Sequence, residues 1–266
     1  MSPLKAKIGA VLAIGAAVGT ASAQDYIPGT NPMDIANTTS SLMNTHINNI
    51  VLDNMVGKKG GKGGGKRSSA ASVSPMKIAL MPASSLRGVK WVPAGTAQLS
   101  YRPDPKIREE AKRSFVARFS KINPEIGPQL TKVMKSFDMF ADYRHVTSPE
   151  GYRHDNVADA LSSTLVVAWL ASKGKDMELS DAGQRIIRSR IATALLADPR
   201  MKSAAFRQRL GDEMQLTTSF LASGFGGAIK QGKTAEYGAA MASLFQGMTG
   251  TNPSRLALTS QGFVRI

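Results

Sequence analysis

From residue 106 onward, apolar side chains recur every three or four positions, the period of helices that bury one face. Ile107, Ala111, Ser114, Phe115 and Phe119 line one side of a first helix, with Arg108, Lys112, Arg113 and Arg118 on the others. Asn123-Pro124 ends it and starts a second, whose stripe is Ile126, Leu130, Val133, Met134, Phe137 and Phe140. A loop holding Tyr143, His145, Tyr152 and His154 follows. The densest apolar run, NVADALSSTLVVAWLAS over residues 156–172, predicts a central helix buried on all sides. Asn156 caps its first turn, Asp159 stands at the capping-box position, and Lys173-Gly174 supplies a left-handed stop. Ser180 caps the next helix, which turns Ile186, Ile187, Ile191, Ala194 and Leu195 inward and Arg185, Arg188 and Arg190 outward. Asp198-Pro199 divides it from a helix carrying Phe206, Leu210, Met214, Thr217 and Leu221. That helix breaks, or crosses a neighbour closely, at Gly224-Phe225-Gly226-Gly227. A last helix over residues 234–248 presents Tyr237, Met241, Leu244 and Phe245, and the tail RLALTSQGFVRI is apolar enough to be tied down.

The pattern before residue 101 is different. Residues 76–100 read as an extended lead-in, with strand-like pieces at Val89, Trp91, Leu99 and Tyr101 around the turn signal Pro93-Ala94-Gly95. Residues 57–75 form a linker in which glycine and serine deny packing and the lysines repel one another. Residues 24–56 are rich in Asn, Thr and Met, with Ile35, Leu42, Ile47, Ile50 and Val51 loosely on one helical face. At the start, Lys5 and Lys7 precede a short apolar stretch and Ala21-Ser22-Ala23 has the small-x-small form of a signal-peptidase site. Residues 1–23 therefore read as a signal peptide, the mature chain begins at Gln24, and the protein is exported to the periplasm or beyond. No later stretch supplies the ~20 unbroken apolar residues of a membrane span. The fold class expected is mainly α: a single domain of about six helices over residues 101–266. It stands behind a disordered or partly helical N-terminal extension, with at most a small β-hairpin.

Charge changes the picture more than composition does. A formal charge of +15 on 266 residues exceeds what solubility requires and favours anionic partners. The densest cationic stretch is Lys58, Lys59, Lys62, Lys66 and Arg67, read either as an anion-binding tether or as a solubilising spacer. No aromatic residues interleave it, so it carries no dedicated nucleic-acid motif. The absence of cysteine excludes disulfides, thiolate metal sites and a cysteine nucleophile.

Candidate chemistry is sparse. Ser172-Lys173-Gly174-Lys175 fits the S-x-x-K pattern of serine penicillin-recognising enzymes, with Lys233-Thr234-Ala235 as a loose echo of K-T-G. That chemistry needs the serine at a helix start, whereas Ser172 ends one. Tyr143, His145, His154, Asp155 and Asp159 gather titratable groups around one loop, where a histidine near carboxylates serves as general base or metal ligand. The plainer reading is helix capping with solvated histidines. The glycines at 224–227 lack both the third Rossmann glycine, being followed by Ile229, and a P-loop lysine. Met33, Met43, Met55, Met76 and Met81 follow no ligand spacing and read as packing. No cofactor or metal is expected.

Tyr101-Arg102-Pro103-Asp104-Pro105 before a helix, Asn156-Val157-Ala158-Asp159-Ala160 leading to Trp169, and the closing Leu258-Thr259-x-x-Gly262-Phe263 resemble an exported bacterial family of unknown function over residues 99–266. The resemblance implies an all-helical secreted or periplasmic domain and brings no known reaction. It leaves the Gly/Lys linker and the Asn-rich N-terminus outside. The function expected is a non-enzymatic exported interaction protein, with an anionic envelope polymer or a protein as partner. The alternative is an envelope hydrolase using the His145, His154 and Asp159 loop.

Overall fold

A computed structural model describes residues 75–81, 90–122, 124–174 and 179–266. Among these, eight α-helices and one small two-stranded antiparallel sheet form a mainly α fold. In chain order the helices are α1 (Pro75–Ala79), α2 (Pro105–Ile122), α3 (Ile126–Ser136), α4 (Met139–Thr147), α5 (Val157–Lys173), α6 (Asp181–Leu196), α7 (Ala204–Lys230) and α8 (Thr234–Thr249).

The expected central helix is α5. Its residues from Val157 to Ala171 are buried, Asn156 Oδ1 accepts from the amides of Ala158 and Asp159, and Gly174 ends it at φ +62°. A helix buried on every side must lie between others: α7 packs along one flank, α8 and α6 along the rest. Trp169 sits edge-on to Phe263 at 5.5 Å, and Phe263 in turn meets Phe245 of α8. Main-chain spacing is tight where glycine allows it. A Cβ on Gly224 would stand 2.6 Å from the Tyr237 hydroxyl, which donates to Leu221 O at 2.8 Å.

The apolar interior has two parts. The larger surrounds α5, and the smaller is built by Phe115 and Phe119 of α2, Ile126, Leu130 and Val133 of α3, and Met139 and Phe140 of α4. Leu216 and Phe220 of α7 complete the smaller part, while Leu210, Met214, Leu221 and Phe225 of the same helix face the larger. α7 is therefore the wall between two cores.

Several expectations are corrected. The second predicted helix is two, α3 and α4, because Phe137 leaves helical geometry (φ −131°, ψ 127°) and Asp138 caps a new start through the amides of Phe140 and Ala141. Tyr143 and His145 accordingly lie on α4, not in a loop. Among the described residues after 101 there are thus seven α-helices where about six were expected. Gly224 to Gly227 do not break α7, which runs through them to Lys230; the close crossing with α8 is what they permit. Arg188 and Arg190, expected outside, are buried, and only Arg185 faces out.

The lead-in contains no strand among its described residues. It opens instead on α1, with Met76 and Ala79 fully buried in the larger core, and residues 97–99 form a 3-10 turn. The hairpin lies instead at the tail, where β1 (Leu256–Thr259) pairs with β2 (Gly262–Arg265) in the register Leu256 to Arg265 and Thr259 to Gly262. Its turn presses on α6 at Gly183, where a Cβ would lie 2.0 Å from Thr259 O. The expectations for residues 1–74, including the signal peptide and linker, lie outside the described residues.

Candidate functional site

Asp159 is the residue that the sequence singles out most sharply, and the fold gives it a different task from the one expected. It stands in the first turn of α5, fully buried, and its carboxylate accepts from both arms of Arg188, Nε at 2.8 Å and Nη2 at 2.6 Å. Its Oδ2 also accepts the amide of Arg153 at 2.9 Å. The Arg188 guanidinium lies 4.9 Å over the ring of Tyr152, whose hydroxyl burial pushes far above its ordinary pKa. One buried ion pair thus ties α5, α6 and the 151–155 turn together. Three donors meet this carboxylate and the group is fully buried, so it does not face a solvent-borne substrate.

His145 and His154 are both exposed, on different elements: the first on α4, the second in the turn before α5. The backbone of His154, not its ring, carries the structure, its carbonyl accepting from Gln215 Nε2 at 2.8 Å and the Tyr101 hydroxyl at 3.3 Å. Asp155 pairs with Arg153 at 3.2 Å. Tyr143 is fully buried on the Ser163 hydroxyl at 3.2 Å. The structure therefore joins Asp159 to Arg188 and shows no bond between Asp159 and either histidine.

A second polar network, not anticipated from the sequence, lies where α2 meets α7. Asp212 is fully buried, with Gln208 Nε2 donating to it at 3.0 Å and Arg108 at 3.6 Å. Gln215 Nε2 donates to the Tyr101 hydroxyl at 2.7 Å, and Gln208 exchanges bonds with the backbone of Asp104 at 2.9 and 2.8 Å. Burial raises the pKa of Asp212 against the opposing pull of Gln208 and Arg108, and raises Tyr101 well above its ordinary value. Further along the seam Arg118 pairs with Glu213 at 2.9 Å, and the Ser219 hydroxyl donates to Asp142, whose carboxyl is also raised by burial. The signal for this seam is faint in sequence, because Gln208, Asp212, Gln215 and Ser219 look like an ordinary solvated helix face until α2 and α4 cover it.

The other patterns resolve into packing. The Ser172 hydroxyl donates to Trp169 O at 2.6 Å, and Lys173 Nζ donates to the carbonyls of Pro253 and Leu256 at 2.8 and 3.0 Å while lying 5.1 Å over the Trp169 ring. Lys173 fastens the hairpin to the end of α5 rather than activating Ser172. Arg190 is held by carbonyls too, donating to Ala79 O at 3.1 Å and Gln261 O at 3.5 Å, and burial lowers its pKa. Among the described residues no group of three His, Cys, Asp or Glu side chains could hold a metal ion, and no helix is long and apolar enough to cross a membrane. Lys58, Lys59, Lys62, Lys66 and Arg67, together with Met33, Met43 and Met55, lie outside the described residues; Met76 is core.

What the arrangement offers at the surface is charge. Asp159, Asp212 and Glu213 are taken into the interior against guanidinium groups. Among the described residues fifteen Lys and Arg side chains are exposed against seven Asp and Glu, so the solvent-facing charge is predominantly cationic. No curated protein and no solved structure matches the chain. Residues 2–265 match one family throughout, so the linker and the N-terminal segment fall inside the resemblance rather than outside it, and the chain belongs to the family of unknown function DUF6683.

Proposed function

We propose that this chain is a non-enzymatic, exported helical protein that binds anionic surfaces of the cell envelope. The observation that carries the reading is the division of charge just described: carboxylates go inward onto arginine, and the exposed side chains left over are cationic by about two to one. The basic run at residues 57–67 adds five further cations within eleven positions. A hydrolase working through His145, His154 and Asp159 finds no comparable support, since Asp159 is spent on Arg188 and the two rings stand on separate elements.

Counterion release makes such binding steeply salt-dependent, so raising salt from 50 to 200 mM should weaken retention on heparin or on anionic vesicles by about tenfold or more. Deleting residues 57–67 should weaken it further at low salt and flatten the salt slope. Retention indifferent to both salt and deletion would overturn the proposal.

A further inference from the structure

Among the Phe, Tyr and Trp rings of the described residues Trp91 alone is exposed, at 38%, while the other tryptophan, Trp169, is 1% exposed. A loose loop does not account for this. The backbone around Trp91 is pinned along its length: Val92 N donates to Thr193 Oγ1 at 3.2 Å, and Ser189 Oγ donates to Val92 O. Farther on, Arg153 Nη1 donates to Gly95 O at 3.0 Å and Asn156 Nδ2 to Thr96 O at 2.9 Å. Residues 90–96 thus lie as a strap over α6. Val92 packs against the core, while the side chain next to it, Trp91, stays at the surface. The fold therefore holds an indole at the surface by design of the backbone.

Its neighbours suit one kind of partner. Lys90 is exposed immediately before it, Arg185 is exposed one turn from Ser189 along α6, and Arg153 is exposed at the far end of the strap. Against these stand Asp155, already bonded to Arg153, and Asp181 in the first turn of α6. The hydroxyls that flank the strap are spent on main chain: Ser189 Oγ donates to Val92 O, and Thr193 Oγ1 accepts from Val92 N and donates to Ser189 O at 2.9 Å. Neither has a donor proton left for the hydroxyls of a sugar. A single ring also provides no run of stacking platforms for nucleic-acid bases. A lipid interface asks for less: one amphipathic ring at headgroup depth and cations near the phosphates.

We propose that Trp91, with Lys90 beside it, is where this protein seats on an anionic lipid bilayer, the indole entering the headgroup layer and the cations facing lipid phosphate. The proposal rests on the anionic-surface reading above and names its surface. The full chain is tested by tryptophan emission and by co-sedimentation with phosphatidylcholine vesicles containing phosphatidylglycerol, beside pure phosphatidylcholine. The expected result is a blue-shifted emission on the anionic vesicles, quenched by brominated acyl chains and absent in Trp91→Ala. With both proteins held below their thermal midpoints, that variant should bind about tenfold more weakly, and Trp91→Phe, which keeps a ring on the strap, should bind more tightly than Trp91→Ala. Salt-sensitive vesicle binding with unmoved emission and an unimpaired Trp91→Ala variant would overturn the seat while leaving the anionic-surface reading intact. Binding to heparin but not to vesicles would replace lipid with an acidic polymer as the partner and overturn it equally. No binding to either at low salt would overturn both.

Discussion

Asp142 and Asp159 both stand in the first turn of a helix, α4 and α5; their partners separate them. Asp159 meets a bidentate guanidinium, whereas the ionised form of Asp142 is favoured only by the hydrogen bond from the neutral Ser219 hydroxyl and by the nearby charge of His145, and burial outweighs both. Burial therefore raises the Asp142 pKa. The folded state holds this proton more tightly than the unfolded chain does, so the group favours folding most in acid and the benefit declines as pH rises through the carboxylate range. Asp142→Asn should consequently stabilise the protein at neutral pH, with the difference closing toward pH 4. Thermal midpoints of both proteins across that range check this, and a variant less stable at pH 7 than at pH 4 relative to the parent would contradict it. Neither residue's partner was legible in the sequence. Arg188 lies 29 positions from Asp159 and Ser219 lies 77 from Asp142, distances over which side-chain spacing carries no information.

At the scale of elements, local signals sufficed where the physics is local. The Asn156, Ser180 and Asp198 caps form as their side chains dictate, and Gly174 ends α5 in the left-handed region. They failed where neighbours decide. Four residues with three glycines look like a helix break, yet α7 continues through 224–227 because two of those glycines are buried against other elements. Gly224 and Gly226 offer a matched comparison. A methyl on Gly224 meets the Tyr237 hydroxyl at 2.6 Å and its ring at 3.0 Å, and one on Gly226 meets nothing within 4 Å. Gly226→Ala should stabilise by about 0.5–1 kcal/mol through helix propensity, and Gly224→Ala should destabilise by about 1–3 kcal/mol through overpacking at the α7–α8 crossing. Chemical denaturation of the two variants checks the opposite signs. The place of the hairpin was missed for the complementary reason. A four-residue strand such as LALT has too few positions to separate a period of two from a helix, and its position is set by Lys173 and the close approach at Gly183.

For the whole molecule, the match over residues 2–265 treats the N-terminal segment, linker and helical domain as one family unit. The export proposed for it has a direct consequence: intact-mass measurement on protein recovered from the native envelope fraction should give a chain beginning at Gln24, and a chain retaining residues 1–23 would speak against export. The sequence by itself determined the mainly helical class, the caps, the all-round burial of α5 and the excess of cations, because each follows from residue type and near-neighbour spacing. Tertiary structure alone decided which charges face water. Arg188 and Arg190 sit on a helix whose periodicity turned them outward, and they are buried because Asp159, Ala79 and Gln261 arrive from elsewhere in the chain to meet them. It also decided that His145 and His154 stand apart and that Trp91 is held at the surface, since all three depend on packing between elements that the one-dimensional pattern does not place side by side.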